Sequence, residues 1–258
     1  MKLVNIGILL HPSWRSIAYL ATFYNLKLIP NTIIILNSEV SEYNTLLSLD
    51  RKYNYSEKFF NLKKSIDSYI DEWKASGTTI IHSKTDNINS YNILNIVGNC
   101  TSDYIIFTGG GLLGNKILDL NKKFIHIHPG DLPKYRGSTC FYYSLIEEYS
   151  LAASSFIMTR ELDQGEIIVK NNYSVNYYVD NDETLFMDYI LDPYIRAQVL
   201  CDVLNMYEDN HVLNLKSQSD KSHICYYIMH PFLRSCAIKK LNDNYSEDLK
   251  NGVTKVCT

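Results

Sequence analysis

An alternation dominates this sequence. Short runs rich in β-branched and aromatic residues, Leu3–Leu10, Thr32–Leu36, Thr78–His82, Tyr104–Thr108 and Phe124–His128, are separated by stretches whose apolar residues recur at helical spacing. Strands that alternate with helices build βαβ units, with parallel strands and right-handed crossovers. The helical stretches are Ser13–Leu26, Ser56–Trp73 with a stripe of Phe59, Phe60, Leu62, Ile66, Tyr69 and Ile70, and the shorter Asn89–Asn99 and Leu112–Leu120. The expected fold is α/β, a Rossmann-like and mostly parallel twisted sheet with helices on both faces. Beyond it, a helix is expected from Gly137 to Tyr149, then strands near Ala152–Thr159 and Glu166–Val169. Asp182 or Thr184 is placed to cap a long helix reaching about Met206, which Pro193 must kink or interrupt. The remainder holds a Tyr-rich segment, Cys225–Ala237, and a polar tail expected to be partly disordered. The simplest division is an α/β core over residues 1–170 and a C-terminal extension over 171–258.

Composition narrows the function classes. The 258 residues carry a net charge of −3, whereas a nucleic-acid binder usually shows a clear basic excess. No run reaches the ~18 apolar residues of a membrane span. Met1–Leu10 competes as a signal peptide, but polar His11-Pro-Ser-Trp-Arg15 follows it without a small-residue cleavage site, so it reads as the first buried strand. Six cysteines, at 100, 140, 201, 225, 236 and 257, are scattered with no C-x-x-C pair, the pattern of reduced thiols in a cytoplasmic protein.

The chemistry concentrates in Phe124-Ile-His-Ile-His-Pro-Gly-Asp-Leu-Pro-Lys-Tyr-Arg-Gly-Ser138. On a strand, His126 and His128 share a face, and Pro129-Gly130 ends the strand directly after them. Both imidazoles therefore sit near the carboxyl end of a parallel strand, the edge where open α/β sheets bind ligands. The loop that follows carries Lys134 and Arg136. Arg suits bidentate contact with phosphate or carboxylate, and a solvated charge is the alternative for each. Gly137 is expected to open a helix whose free N–H groups face the same crevice. Further on, Asp163 stands in a turn before a strand, where alone it reads as a turn aspartate bonding its own backbone. Gly109-Gly110-Gly111-Leu112-Leu113 directly follows a strand but has neither the dinucleotide spacing nor a G-K-[ST] ending. It reads as backbone approaching a flat ligand, or as a tight turn. The His126-x-His128 pair also suits a metal-dependent hydrolase with Asp163 as third ligand, although barrels of that kind place the pair near the chain start.

His128-Pro-Gly-Asp-Leu-Pro-Lys-Tyr-Arg-Gly137 resembles the H-x-S-L-L-P-x-Y-R-G signature of the folate-dependent formyltransferases. Leu162-Asp163-x-Gly165-x-Ile-Ile168, with its Asp 35 residues after His128, resembles that family's second motif. The likeness covers roughly residues 78–170. It implies a Rossmann-like catalytic core and formyl transfer from N10-formyltetrahydrofolate as cosubstrate, with no metal. The family's Asn, His, Asp constellation carries over as His128 and Asp163, and His126 stands where the family has Asn. The family's Ser after His-Pro is Gly130 here. The resemblance assigns proton transfer and oxyanion stabilisation to His128, orientation and proton relay to Asp163, and a second oxyanion bond to His126. It places the pterin at Gly109, Gly110, Gly111, Leu112 and Leu113 and near Met158 and Leu162. The acceptor is expected past His11, Arg15, Lys134, Tyr135, Arg136, Gly137 and Ser138.

Within the family, the acceptor is read from the tail. Residues 171–258 hold 8 Lys+Arg against 12 Asp+Glu, a poor surface for tRNA. A chain of this length with the segment Tyr226-Tyr-Ile-Met-His-Pro-Phe-Leu-Arg234 looks most like the sugar-nucleotide N-formyltransferases used for surface polysaccharides. A nucleotide-linked amino sugar is then the small-molecule partner, and the Tyr-rich region offers a homodimer surface. The alternatives are a phosphoribosylglycinamide formyltransferase-like enzyme, a formyl-folate hydrolase, and a relative that binds folate or sugar nucleotide without transfer.

Overall fold

A computed structural model describes residues 2–179, 184–218, 224–249 and 251–256. The candidate cap Asp182 lies outside these. An eight-stranded sheet has the order β10-β8-β7-β5-β4-β1-β2-β3, and β6 pairs with β9 apart from it. By packing, the chain forms two compact units, Met1–His126 with Ile157–Arg160, and Ile127–Phe156 with Glu161–Thr258.

In the first unit the strands are β1 (Lys2–Leu10), β2 (Ile29–Ile35), β3 (Thr79–His82), β4 (Tyr104–Phe107) and the start of β5 (Lys123–His128). All pair parallel, with Leu9 beside Ile34 and Phe107, and Ile105 beside Phe124. Parallel strands covered on both faces read as apolar runs, as in β1, β2 and β4, while β3 at the sheet edge is exposed at both ends. Leu9, Ile34, Ile93, Ile105, Phe107 and Phe124 lie within one buried cluster. Helix α1 (Trp14–Asn25) starts at a reciprocal cap, in which Ser13 accepts from the Ser16 N–H while Ser16 answers the Ser13 N–H.

The expected helix Ser56–Trp73 is not continuous. Helix α2 (Tyr43–Tyr53) precedes it, a single turn α3 (Tyr55–Lys58) follows, and α4 starts only at Ile66 and ends at Ala75. Short polar side chains capture the backbone between them. Buried Asp50 accepts from the Ser56 N–H and hydroxyl, Asn61 accepts from the Lys63 N–H, and Ser65 caps α4. The remaining helices of this unit are α5 (Tyr91–Gly98), capped by Ser90, and the short α6 (Asn115–Leu118), which fills only the middle of the expected Leu112–Leu120.

Strands β7 (Leu151–Ile157) and β8 (Ile167–Asn176) are antiparallel, and β8 runs through residues 170 and 171. The polar tail is ordered over β10 (Gly252–Val256), which pairs antiparallel with Asn172–Asn176. Gly137 does not open a helix. It lies in β6 (Arg136–Gly137), which pairs with β9 (Cys225–Tyr226), and α7 begins at Cys140 and ends at Glu148. The long helix is broken into α8 (Thr184–Phe186), a π turn over Met187–Leu191, and α9 (Asp192–Asn210). Pro193 lies just past the π turn, which shifts the hydrogen-bond pattern ahead of it, and the Asp192 N–H reaches back to the Met187 carbonyl across the widened turn. Helix α10 (Pro231–Asp243) occupies the Tyr-rich segment.

Candidate active site

In the second unit the two motifs meet. His128, 2% exposed, ends β5, and its Nδ1 lies 3.5 Å from Oδ2 of Asp163, itself 8% exposed. The other ring nitrogen, Nε2, is 2.7 Å from the Tyr135 carbonyl oxygen. A carbonyl only accepts, so Nε2 carries the proton and neutral His128 turns its Nδ1 lone pair toward the carboxylate. Burial pushes the His128 pKa below 6.5; Asp163 pulls it back up, and the nearby Arg196 guanidinium pushes it further down. At neutral pH the imidazole is neutral. An imidazole lone pair and a carboxylate thus face each other with no proton between them.

Every neighbouring contact fixes Asp163. Its backbone is left-handed, φ 53°, a strained region that Asp tolerates better than most residues. Its Oδ2 accepts from the Gly137 N–H at 2.8 Å. Its carbonyl accepts from Arg136 Nε at 3.3 Å and from Gln218 Nε2 at 3.0 Å. Gln218 also donates to the Gly165 carbonyl and accepts from Arg136 Nη2, closing a ring of polar contacts around the Asp163 turn. Gly137 is required by geometry. Its φ is +101°, and a Cβ there would lie 2.1 Å from the Tyr226 carbonyl oxygen.

Arg136 therefore differs from its expected role. It is 3% exposed, and its guanidinium contacts support Asp163 and Gln218, whereas a phosphate clamp needs an open fork. Tyr135 is buried too, with its carbonyl on His128 and its hydroxyl donating to Glu147. Lys134 is exposed and pairs with Glu148. The Ser138 N–H donates to the Tyr226 carbonyl. Leu162 is exposed on the Asp163 turn.

Residues the sequence did not single out complete this cluster. Buried Arg196 on α9 donates from Nη1 to the Ile127 carbonyl at 2.8 Å and from Nε to Asp192, one turn earlier. It anchors the backbone next to His128. A charged residue among the apolar Ile195, Ala197, Val199 and Leu200 was its one sequence signal. Gln218 had none.

In the first unit, His126 Nδ1 is 3.3 Å from the Phe107 carbonyl oxygen. That contact puts the proton on Nδ1, so in the neutral ring Nε2 is an acceptor. Gly109, Gly110 and Gly111 all have positive φ, and the His11 ring closes on Gly110, where a Cβ would fall 2.7 Å from it. Arg15 donates to the Thr108 carbonyl, and the His11 N–H to the Thr108 hydroxyl. Burial, then Arg15, lower the His11 pKa. Leu113 is buried in the same apolar cluster against which Met158 packs, while Leu112 is exposed. Asn89 pins the end of this loop through the Gly114 N–H and the Leu112 carbonyl.

No protein-family model matches the chain. Among curated proteins it matches the methionyl-tRNA formyltransferase of Orientia tsutsugamushi, 26% identical over 133 residues, which are 50% of this chain and 42% of that protein. A sugar N-formyltransferase from Shewanella superposes with a TM-score of 0.54 at 12% identity, over 96% of this chain and 92% of that one. The fold is that of the formyltransferases. Another structure of this fold, phosphoribosylglycinamide formyltransferase from Anaplasma phagocytophilum, superposes with a TM-score of 0.53 at 14% identity, over 88% of this chain and 99% of that one. The chain spans less than half the length of the curated relatives it matches. Among the described residues, no helix of this formyltransferase fold is long and apolar enough to cross a membrane, and no three His, Cys, Asp or Glu side chains gather as a metal site would need.

Proposed function

We propose that this protein transfers the formyl group of N10-formyltetrahydrofolate to the amine of a nucleotide-linked amino sugar. The observation that carries the reading is the buried His128–Asp163 pair, 3.5 Å apart, with the imidazole neutral and its other nitrogen already tied to a carbonyl. Formyl transfer is acyl transfer. The neutral amine attacks the formyl carbon, the C=O becomes a tetrahedral oxyanion, and the bond to N10 breaks. One proton must leave the attacking nitrogen and one must reach N10. The pair accepts the first between Nδ1 and Oδ2 and returns it to the departing N10, so the proton count balances.

The Gly109–Gly111 backbone, bare of side chains beside the apolar Leu113 and Met158, suits the flat pterin. His126 donates to the oxyanion only when its ring is protonated, because Phe107 holds the Nδ1 proton of the neutral form. The likeness to a sugar N-formyltransferase over 96% of the chain favours an amino-sugar acceptor, and the acidic balance of residues 171–258 disfavours tRNA. The test is turnover of N10-formyltetrahydrofolate against a panel of dTDP-, GDP- and UDP-linked amino sugars, phosphoribosylglycinamide and methionyl-tRNA. Formylation of a sugar nucleotide alone is expected. Exclusive use of either other acceptor overturns the assignment.

A further inference from the structure

Within the first unit, the carboxyl ends of β1, β2 and β3 surround a cavity of about 370 Å³ that the chemistry above does not use. This is within the range of small-ligand pockets. Its apolar floor is Pro12, Ile17, Ile35 and Leu36. Tyr43 lines it, and that ring is fixed in advance. It stacks on buried Trp14, ring centroids 5.6 Å apart at 14°, and the Trp14 indole donates to the Ser41 carbonyl at 2.9 Å. Glu39 and Asp67 are the carboxylates in the wall, and no Lys or Arg is among the lining residues. Ser38 in the same wall has a hydroxyl shut off from solvent with no hydrogen-bond partner among the described residues. An orphaned polar atom of this kind calls for an explanation.

These features select a ligand class. Two carboxylates with no Lys or Arg beside them, and only His82 and Tyr43 as other titratable groups in the wall, disfavour phosphate but accept hydrogen bonds from hydroxyls. In doubly wound sheets, an acid just beyond the second strand is where sugar hydroxyls are held, and Glu39 follows β2. A rigid aromatic ring over an apolar floor suits a flat heterocycle. We infer that this cavity binds the nucleoside end of a nucleotide-linked ligand, with the base against Tyr43 and the sugar hydroxyls on Glu39 and Asp67. That the ligand is nucleotide-linked rests on the acceptor proposed above.

The experiment is calorimetric titration of the full chain with thymidine, uridine and guanosine and with their diphosphates. Wild type, Tyr43→Ala, Glu39→Gln and His128→Asn are compared. At least one nucleoside is expected to bind with Kd below about 1 mM. Tyr43→Ala and Glu39→Gln each weaken it by about tenfold or more, and His128→Asn binds as wild type does. Exposed Glu39 gives a variant with little risk to the fold. Absence of all nucleoside and nucleotide binding, or binding untouched in both cavity variants, overturns the inference. The two readings fail separately. Nucleoside binding that needs Tyr43, with no amine formylated, sinks the acceptor and keeps the cavity. Formylation of a sugar nucleotide with KM unchanged in Tyr43→Ala and Glu39→Gln does the reverse.

Discussion

Replacing Gly137 by Ala tests whether pairing of β6 with β9 holds the Asp163 carboxylate. The added Cβ would lie 2.1 Å from the Tyr226 carbonyl oxygen and 2.9 Å from its nitrogen, where ordinary contact begins at 3.4 Å. Backbone atoms cannot rotate away, so the strands must part by more than an ångström. The φ of +101° adds its own strain, about 1–2 kcal/mol for a residue with a Cβ. Parting also breaks the 2.8 Å bond from the Ser138 N–H to Tyr226, worth about 1 kcal/mol. Together these give a loss of roughly 2–3 kcal/mol and, for a chain of this size, a Tm lower by about 4–12 °C. The Gly137 N–H then leaves Asp163 Oδ2, and formyl transfer should fall by about tenfold or more. Scanning calorimetry and turnover on one preparation read both effects. A variant with unchanged Tm and turnover would refute the claim that this pairing positions Asp163.

Three further outcomes follow from the same geometry. Asp163→Asn keeps an acceptor for the Gly137 N–H and tolerates left-handed backbone, so it should fold normally while transfer drops by about 10²–10⁴. It also removes the group that raises the His128 pKa, so NMR titration should find that imidazole titrating lower still than in wild type. For wild type, burial depresses the folded pKa of His128 below its unfolded 6.5. As pH falls through the window between these values, the unfolded chain gains a proton the native state refuses, and this contribution to stability is lost; above 6.5 it is fully present. Denaturant midpoints measured from pH 7.5 downward check the sign, and stability rising as pH falls through that window would contradict it. His126→Asn supplies an amide donor whatever the tautomer, so it should retain substantial activity, as a turnover assay would show.

The first five strands were readable because each is rich in β-branched and aromatic residues; β1, β2 and β4 are largely buried, while edge strand β3 is exposed at both ends. Helices α1 and α5 were readable because their apolar residues recur at helical spacing; the caps at Ser13 and Ser90 came from the structure. The Ser56–Trp73 stripe misled because its periodicity cannot reveal that Asp50 captures the Ser56 backbone across a turn. Gly137 was read as a helix start but lies in β6; its need for glycine comes from Tyr226, far along the chain, which local pattern cannot supply. The polar tail hid a strand because an edge strand facing solvent needs few apolar residues. His128 and Asp163 were visible through motif spacing. The proton positions on His126 and His128 were not, since each depends on which distant carbonyl its ring meets.

Single-turnover transfer from N10-formyltetrahydrofolate to an amino-sugar nucleotide, compared between wild type and His128→Asn, probes the proton-accepting pair most directly. Wild type should form the N-formyl product, and the variant, with unchanged far-ultraviolet circular dichroism, should be slower by about 10³ or more. Equal rates in the two proteins would mean that the proton travels by another route.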